Sequence, residues 1–239
     1  MNVTSTALAR AAGAAAATAG AIFIAVQVNH PAGTAFDTET TEWVARSCAK
    51  TVMAVLALVG ITGLWLRQHR QAGMLGLVGY AVFAVGYLAM LTVQVIAATV
   101  LPTLLDSDPG YVLDVVHAAE GGAPAGDISA MQVVLNVSGA GYILGGLLFG
   151  IALFRAGVLT RWPAVLLAAS TVATAALAVL PEAFNRPLAV PTGIALIGLG
   201  VALWRNPGDV RARAADPTAE PTAAPTAEPT AAVHASSVR

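Results

Sequence analysis

Charge is what this 239-residue chain has least of: 10% of its residues are Asp, Glu, Lys or Arg. Soluble domains carry about 25%, so the polar surface needed to stay dissolved is missing. Lysine is almost absent, with Lys50 standing alone beside 11 arginines (12 basic residues less that one). At a net charge of −1 there is no basic field for nucleic acid, and that class of partner is excluded. Cys48 is the sole cysteine, which rules out intramolecular disulfides and cysteine-based metal clusters. With no neighbouring histidine to make it a nucleophile, it reads as a small apolar filler. HExxH, GxSxG and P-loop patterns are missing, as are histidine pairs at metal spacing within an apolar run. No catalytic residue and no cofactor is implied.

What the chain has is hydrocarbon. Hydrophobic residues make up 57%, mean hydropathy is +0.74, and the charges are gathered so that six long stretches carry almost none. These predict spans at about 9–28, 46–66, 74–101, 129–154, 162–181 and 187–204. At about 1.5 Å per residue, with flanking residues where short, each can cross a ~30 Å hydrocarbon core. The first, AAGAAAATAGAIFIAVQV, is alanine-rich, and a signal peptide is the competing reading. Its length and the late position of Ile22, Phe23, Ile24 and Val26 favour a retained span. The second helix should begin near Thr41 or Glu42, Pro102 should end the third, and Pro163 and Pro187 fall at helix starts. The expected fold is all-α: a polytopic membrane bundle of six transmembrane helices.

Orientation follows from the connections. Arg10, Arg67, Arg70, Arg155, Arg161 and Arg205 fall on one side, and neither hairpin connection there carries an acid. Nine acids, Asp37 to Glu182, fall on the other side against Arg46, Lys50 and Arg186. By the positive-inside rule both termini are expected in the cytoplasm of a bacterium, with the chain in its plasma membrane. Residues 1–205 form the expected membrane domain. Residues 206–239, with the repeat DPTAEPTAAPTAEPTAA, cannot bury a core and should be a disordered, extended tail.

Helices in lipid associate through small residues rather than by hydrophobic burial. The stretch SGAGYILGGLLFG offers two GxxxG pairs, Gly141 with Gly145 and Gly146 with Gly150, on adjoining stripes. This helix is expected at the centre of the bundle, approached by two others. No ionisable residue falls near a span's midplane, where proton relays and many ion-coupled carriers place them. Polar groups instead gather at the outer ends: Gln27, Asn29 and His30 after the first span, Gln94, then Gln132 and Asn136. Glu182, Asn185 and Arg186 follow in the PEAFNRP turn. Such a set suits an outward-facing pocket for a small polar or lipid-headgroup ligand; the plainer reading has it satisfying loop backbone and interfacial water. In the outer loop 105–129, Asp108–Glu120 reads as a short amphipathic helix with Pro109 in its first turn. It places Asp114 and His117 on one face, a pair able to hold a divalent metal with Asp106 or Asp127, or simply to be solvated.

The stretches AIFIAVQVNHP, TTEWVARSCAK, VLPTL, DPGYV and LPEAFNRP resemble a group of six-span actinobacterial membrane proteins. More distantly, the layout is similar to a broad bacterial membrane family whose domain has no assigned function. The resemblance covers roughly residues 8–205. It implies the six-span fold and carries over no catalytic residue. The functional expectation is a non-enzymatic membrane component that binds a protein partner or lipid. The alternative is a small transporter or permease using the outer polar cluster.

Overall fold

The structure, a computed structural model, describes residues 4–178 and 185–208. Among them every regular element is helical. Helix α1 is Ser5–Ala25, capped by Thr4, whose hydroxyl accepts from the Ala7 N–H. A 3₁₀ turn, Gly33–Ala35, precedes α2, Thr40–Thr99. A single turn, α3 (Leu101–Leu104), leads to α4, Pro109–Ala119. Asp108 caps α4 by accepting from the Tyr111 N–H. Helix α5 is Ala130–Ala156, α6 is Arg161–Ala173 continued by a 3₁₀ stretch to Ala178, and α7 is Asn185–Arg205. Four of these are long and apolar enough to cross a membrane: α1, α2, α5 and the Arg186–Arg205 portion of α7.

Helix α2 corrects the expected connection between the second and third spans. RQHRQAG was expected to be a turn between separate helices, but the helix runs through Arg67–Ala72 and breaks at one residue, Gly73. Its φ of 59° and ψ of −152° lie where only glycine rests without strain. The break divides α2 into two limbs, 40–72 and 74–99. Pro102 also acts differently from expectation: α2 stops at Thr99, and Pro102 sits in the first turn of α3.

Small residues set the helix pairings. On α1, a Cβ at Gly13 would lie 2.7 Å from the Gly200 carbonyl oxygen, and Gly20 meets the Gly193 carbonyl in the same way. Helices α1 and α7 therefore lie antiparallel with their backbones in near contact. Gly60 of the first limb meets Ala16, again antiparallel. The second limb presents Gly79 to Phe149 and Gly86 to Gly141 of α5. Gly141 and Gly145 face that limb, whereas Gly146 and Gly150 face Thr171, Ala164 and Ala168 of α6. These pairings put Arg10, Arg67, Arg70, Arg155, Arg161 and Arg205 at one end of the bundle, where the Arg67 Nε donates to the Asn206 carbonyl at 3.2 Å.

Two apolar cores result. The larger, including Met53, Ile61, Phe83, Tyr87, Phe149 and Leu199, fills the bundle. The smaller lies at the opposite end from the arginines, where Val112, Val115 and Val116 of α4 pack on Phe36, Trp43, Val93, Leu101 and Met131. Helix α4 therefore caps that end. Outside the cores, Val52, Val55 and Val59 run down an exposed stripe of α2, and Leu77, Val78, Val85 and Leu88 down another. Glu182, the end of the fifth expected span and the tail from 209 lie outside the described residues.

Candidate functional site

The turn after α1 is held by Arg46. Helix α1 ends with unsatisfied carbonyls, and Asn29 takes a left-handed conformation (φ 50°) that asparagine tolerates well. From α2 the Arg46 guanidinium donates to the carbonyls of Val26 (2.9 Å), Val28 (3.0 Å) and Asn29 (3.0 Å), and pairs with Glu42 at 2.5 Å. A cation at a helix C-terminus also answers the helix dipole.

One helical turn further along α2, Lys50 meets His30. The His30 Nδ1 lies 2.9 Å from the Pro31 carbonyl oxygen, which can only accept, so Nδ1 carries the proton. The Nε2 is left to accept from the Lys50 ammonium at 2.9 Å. Withdrawal of His30 from water, then the nearby Lys50, push its pKa from 6.5 down to about 3. Arg186 and Arg46 add to this shift, and the bond to Pro31 opposes it. The imidazole stands edge-on to Trp43 at 4.7 Å between centroids, and the Lys50 ammonium sits 5.7 Å from the same indole. Opposite, Arg186 of α7 donates to Glu120 at the end of α4 at 2.6 Å. Gly33 leaves room for that carboxylate, since a Cβ there would collide with it.

Beneath these charges lies a cavity of about 750 Å³ between α1, both limbs of α2, α4, α5 and the start of α7. Its walls are largely apolar, with Phe23, Trp43, Met53, Met90, Val116 and Ile143 among them. Among the described residues Lys50, Glu120 and Arg186 supply the charged lining. Its size and composition are those of a small-molecule site, about 300–1,000 Å³ and mostly apolar with a few polar groups. Tyr142, also in the wall, donates to the Thr192 hydroxyl at 3.0 Å, and Thr192 to Ser170 at 2.9 Å, so a buried hydroxyl chain joins α5, α7 and α6.

Of the residues singled out from sequence, Gln27, Gln94, Gln132, Asn136 and Arg186 line this cavity. Gln132 and Asn136 bond each other, amide to carbonyl, at 3.0 Å one turn apart on α5. Asn29 and His30 are not in the wall: the first contributes its backbone to the turn, the second positions Lys50. Glu182 and the Asn185 side chain lie outside the described residues. Asp114 is engaged with backbone, accepting from the Ala125 and Gly126 N–H groups at 2.9 and 2.8 Å, which closes the loop after α4. It forms no group of three potential metal ligands with His117 or any other described residue. Sequence reasoning missed Lys50, Ser47 and Glu120 as cavity residues. The signal for Lys50 was its solitude, one lysine at the mouth of an apolar run.

No family model, no curated protein and no solved structure matches the chain.

Proposed function

We propose that the chain is a six-span protein of a bacterial cytoplasmic membrane that binds a small lipid-like ligand in its outer-end cavity. Counting the two limbs of α2 separately, and adding α6 with its continuation, brings the four long apolar helices to six spans. The arginine-bearing end faces the cytoplasm, as the positive-inside rule requires, so both termini are cytoplasmic. The lengthwise stripes of exposed valine and leucine support this reading, since they lie where lipid chains would replace water. The bilayer is the first partner. A resemblance to six-span actinobacterial membrane proteins is compatible with the same arrangement.

The observation that carries the ligand-binding reading is the cavity itself, capped by α4 and walled mainly by apolar side chains below a charged rim. Ala97 lies in its wall, so Ala97→Trp fills it. Native mass spectrometry of protein extracted in mild detergent should show a bound small molecule on the parent and its loss in the variant. Equal adducts on both, or none on the parent, would refute a ligand site there.

A permease reading is favoured by one feature, the hydroxyl chain Tyr142–Thr192–Ser170 leading from the cavity wall into the bundle. In a Cys48→Ser background, Ser170→Cys would react with a membrane-impermeant thiol reagent if water follows that chain. A protected thiol would leave binding as the function.

A further inference from the structure

We infer that the ligand of this cavity is an amphiphile with an anionic headgroup, anchored by Lys50. The inference rests on the cavity being a ligand site, and it concerns the charge that the site selects. Arg46 is paired with Glu42 at 2.5 Å and Arg186 with Glu120 at 2.6 Å. Lys50 is not paired in this way: its hydrogen-bond partner is the neutral His30 ring, and among the described residues no carboxylate forms an ion pair with it. Among the described residues the charged lining is Lys50, Arg186 and Glu120, one positive charge in excess.

The lysine is half-buried in largely apolar surroundings, beside the face of Trp43. An ammonium withdrawn from water is costly where the carboxylate acting on it, Glu120, is already paired with Arg186, and an entering anion lowers that cost while a second cation adds to it. The geometry of His30 adds direction. Because its Nδ1 proton is committed to Pro31, the ring takes one of the three Lys50 N–H bonds through Nε2 and leaves two for a ligand. The apolar wall from Phe23 and Met53 to Met90 and Ile143 accommodates the tail. The anion is a carboxylate or a phosphate monoester, chemistries that Lys50 does not distinguish.

Three probes with one tail test this on the purified full-length protein: oleate, oleyl phosphate and oleyl alcohol, titrated by native mass spectrometry. At least one anion should bind the parent about tenfold or more tightly than the alcohol, and the better of the two identifies the headgroup. Lys50→Met, which keeps the apolar stem, should bring all three to one affinity, whereas Lys50→Arg should keep the anion preference. Oleyl alcohol binding the parent as well as either anion would overturn the inference and leave the cavity reading standing. So would a Lys50→Met variant that still prefers an anion. If Lys50→Met does not fold, the comparison of probes on the parent decides alone. Failure of all three to bind the parent would overturn the ligand-site reading, and this inference with it.

Discussion

Substituting Gly86 by alanine tests the seam between the second limb of α2 and α5 with the smallest available change. A Cβ at Gly86 would lie 2.5 Å from both the Gly141 carbonyl carbon and the Tyr142 nitrogen, where ordinary contact begins at 3.4 Å. The shortfall is 3.4 − 2.5 = 0.9 Å. The opposing atoms are backbone, so no side-chain rotation relieves it and the two helices must separate. Separation loosens the neighbouring contacts of Gly79 with Phe149 and Gly145 with Phe83, each atom pair contributing about 0.1–0.2 kcal/mol. Overpacking of this kind costs about 1–3 kcal/mol, and the upper part of that range applies to backbone against backbone. Replacing a mid-helix glycine by alanine returns about 0.5–1 kcal/mol. The net expectation is a loss of about 1–2 kcal/mol.

The control is Gly139, in the same helix and sequence motif but on a different face, with nothing within 4 Å of its would-be Cβ. Gly139→Ala should keep or raise stability. Gly157 is unsuitable, because it ends α5 in the left-handed region at φ 62°. For a chain of this size about 1 kcal/mol corresponds to about 2–4 °C in Tm, so Gly86→Ala should melt several degrees below Gly139→Ala in one fixed detergent. A Gly86→Ala protein that melts with or above Gly139→Ala would mean the two helices do not touch there.

Leucine at Gly145 should be more damaging than leucine at Gly146, because the first meets Phe83 backbone and the second the Thr171 side chain; equal melting of the two variants would contradict the assigned faces. His30 has a folded pKa near 3 against 6.5 unfolded, so the unfolded chain binds more protons between those values and stability contributed here falls as pH drops through that window. His30→Gln should lessen the fall between pH 7 and pH 4, read as Tm against pH, and an unchanged slope would refute the assignment. Glu120→Gln removes the pair joining α4 to α7, and amide hydrogen exchange over residues 109–119 should quicken; unaltered protection would show that apolar packing alone holds α4. In a Cys48→Ser background, cysteines at Thr38 and Gly121 should react with an impermeant thiol reagent outside the cell and cysteines at Gln71 and Asn206 should not, and one reversed position would overturn the six-span orientation.

Much of the helical layout was legible because apolar runs and their charged boundaries are local properties. The Asp108 cap with Pro109 is likewise a local pattern, and the structure begins α4 at that proline. The Gly73 break was less legible. Arg67–Ala72 looks like a polar turn, yet arginine, glutamine and alanine are all good helix formers, and only the glycine interrupts them. The contact of α1 with α7 was missed for a related reason. Alanine and glycine lower hydropathy and make the first apolar run look weak, while the same smallness lets Gly13 and Gly20 approach Gly200 and Gly193.

The candidate site divides along the same line. Gln27, Gln94, Gln132 and Asn136 could be chosen from sequence because each is a polar residue near the end of an apolar run. Lys50 and Glu120 acquire meaning only from partners distant in sequence: Lys50 from His30, 20 residues away, and Glu120 from Arg186, 66 residues away. Counting charges along the chain assigns Arg46, Lys50 and Arg186 equally to the outer side. The fold makes them unequal, since two acquire carboxylates and the third acquires a neutral imidazole. The proposed preference for an anion follows from that difference: among the described residues Lys50 is the cation of the cavity wall that no carboxylate pairs.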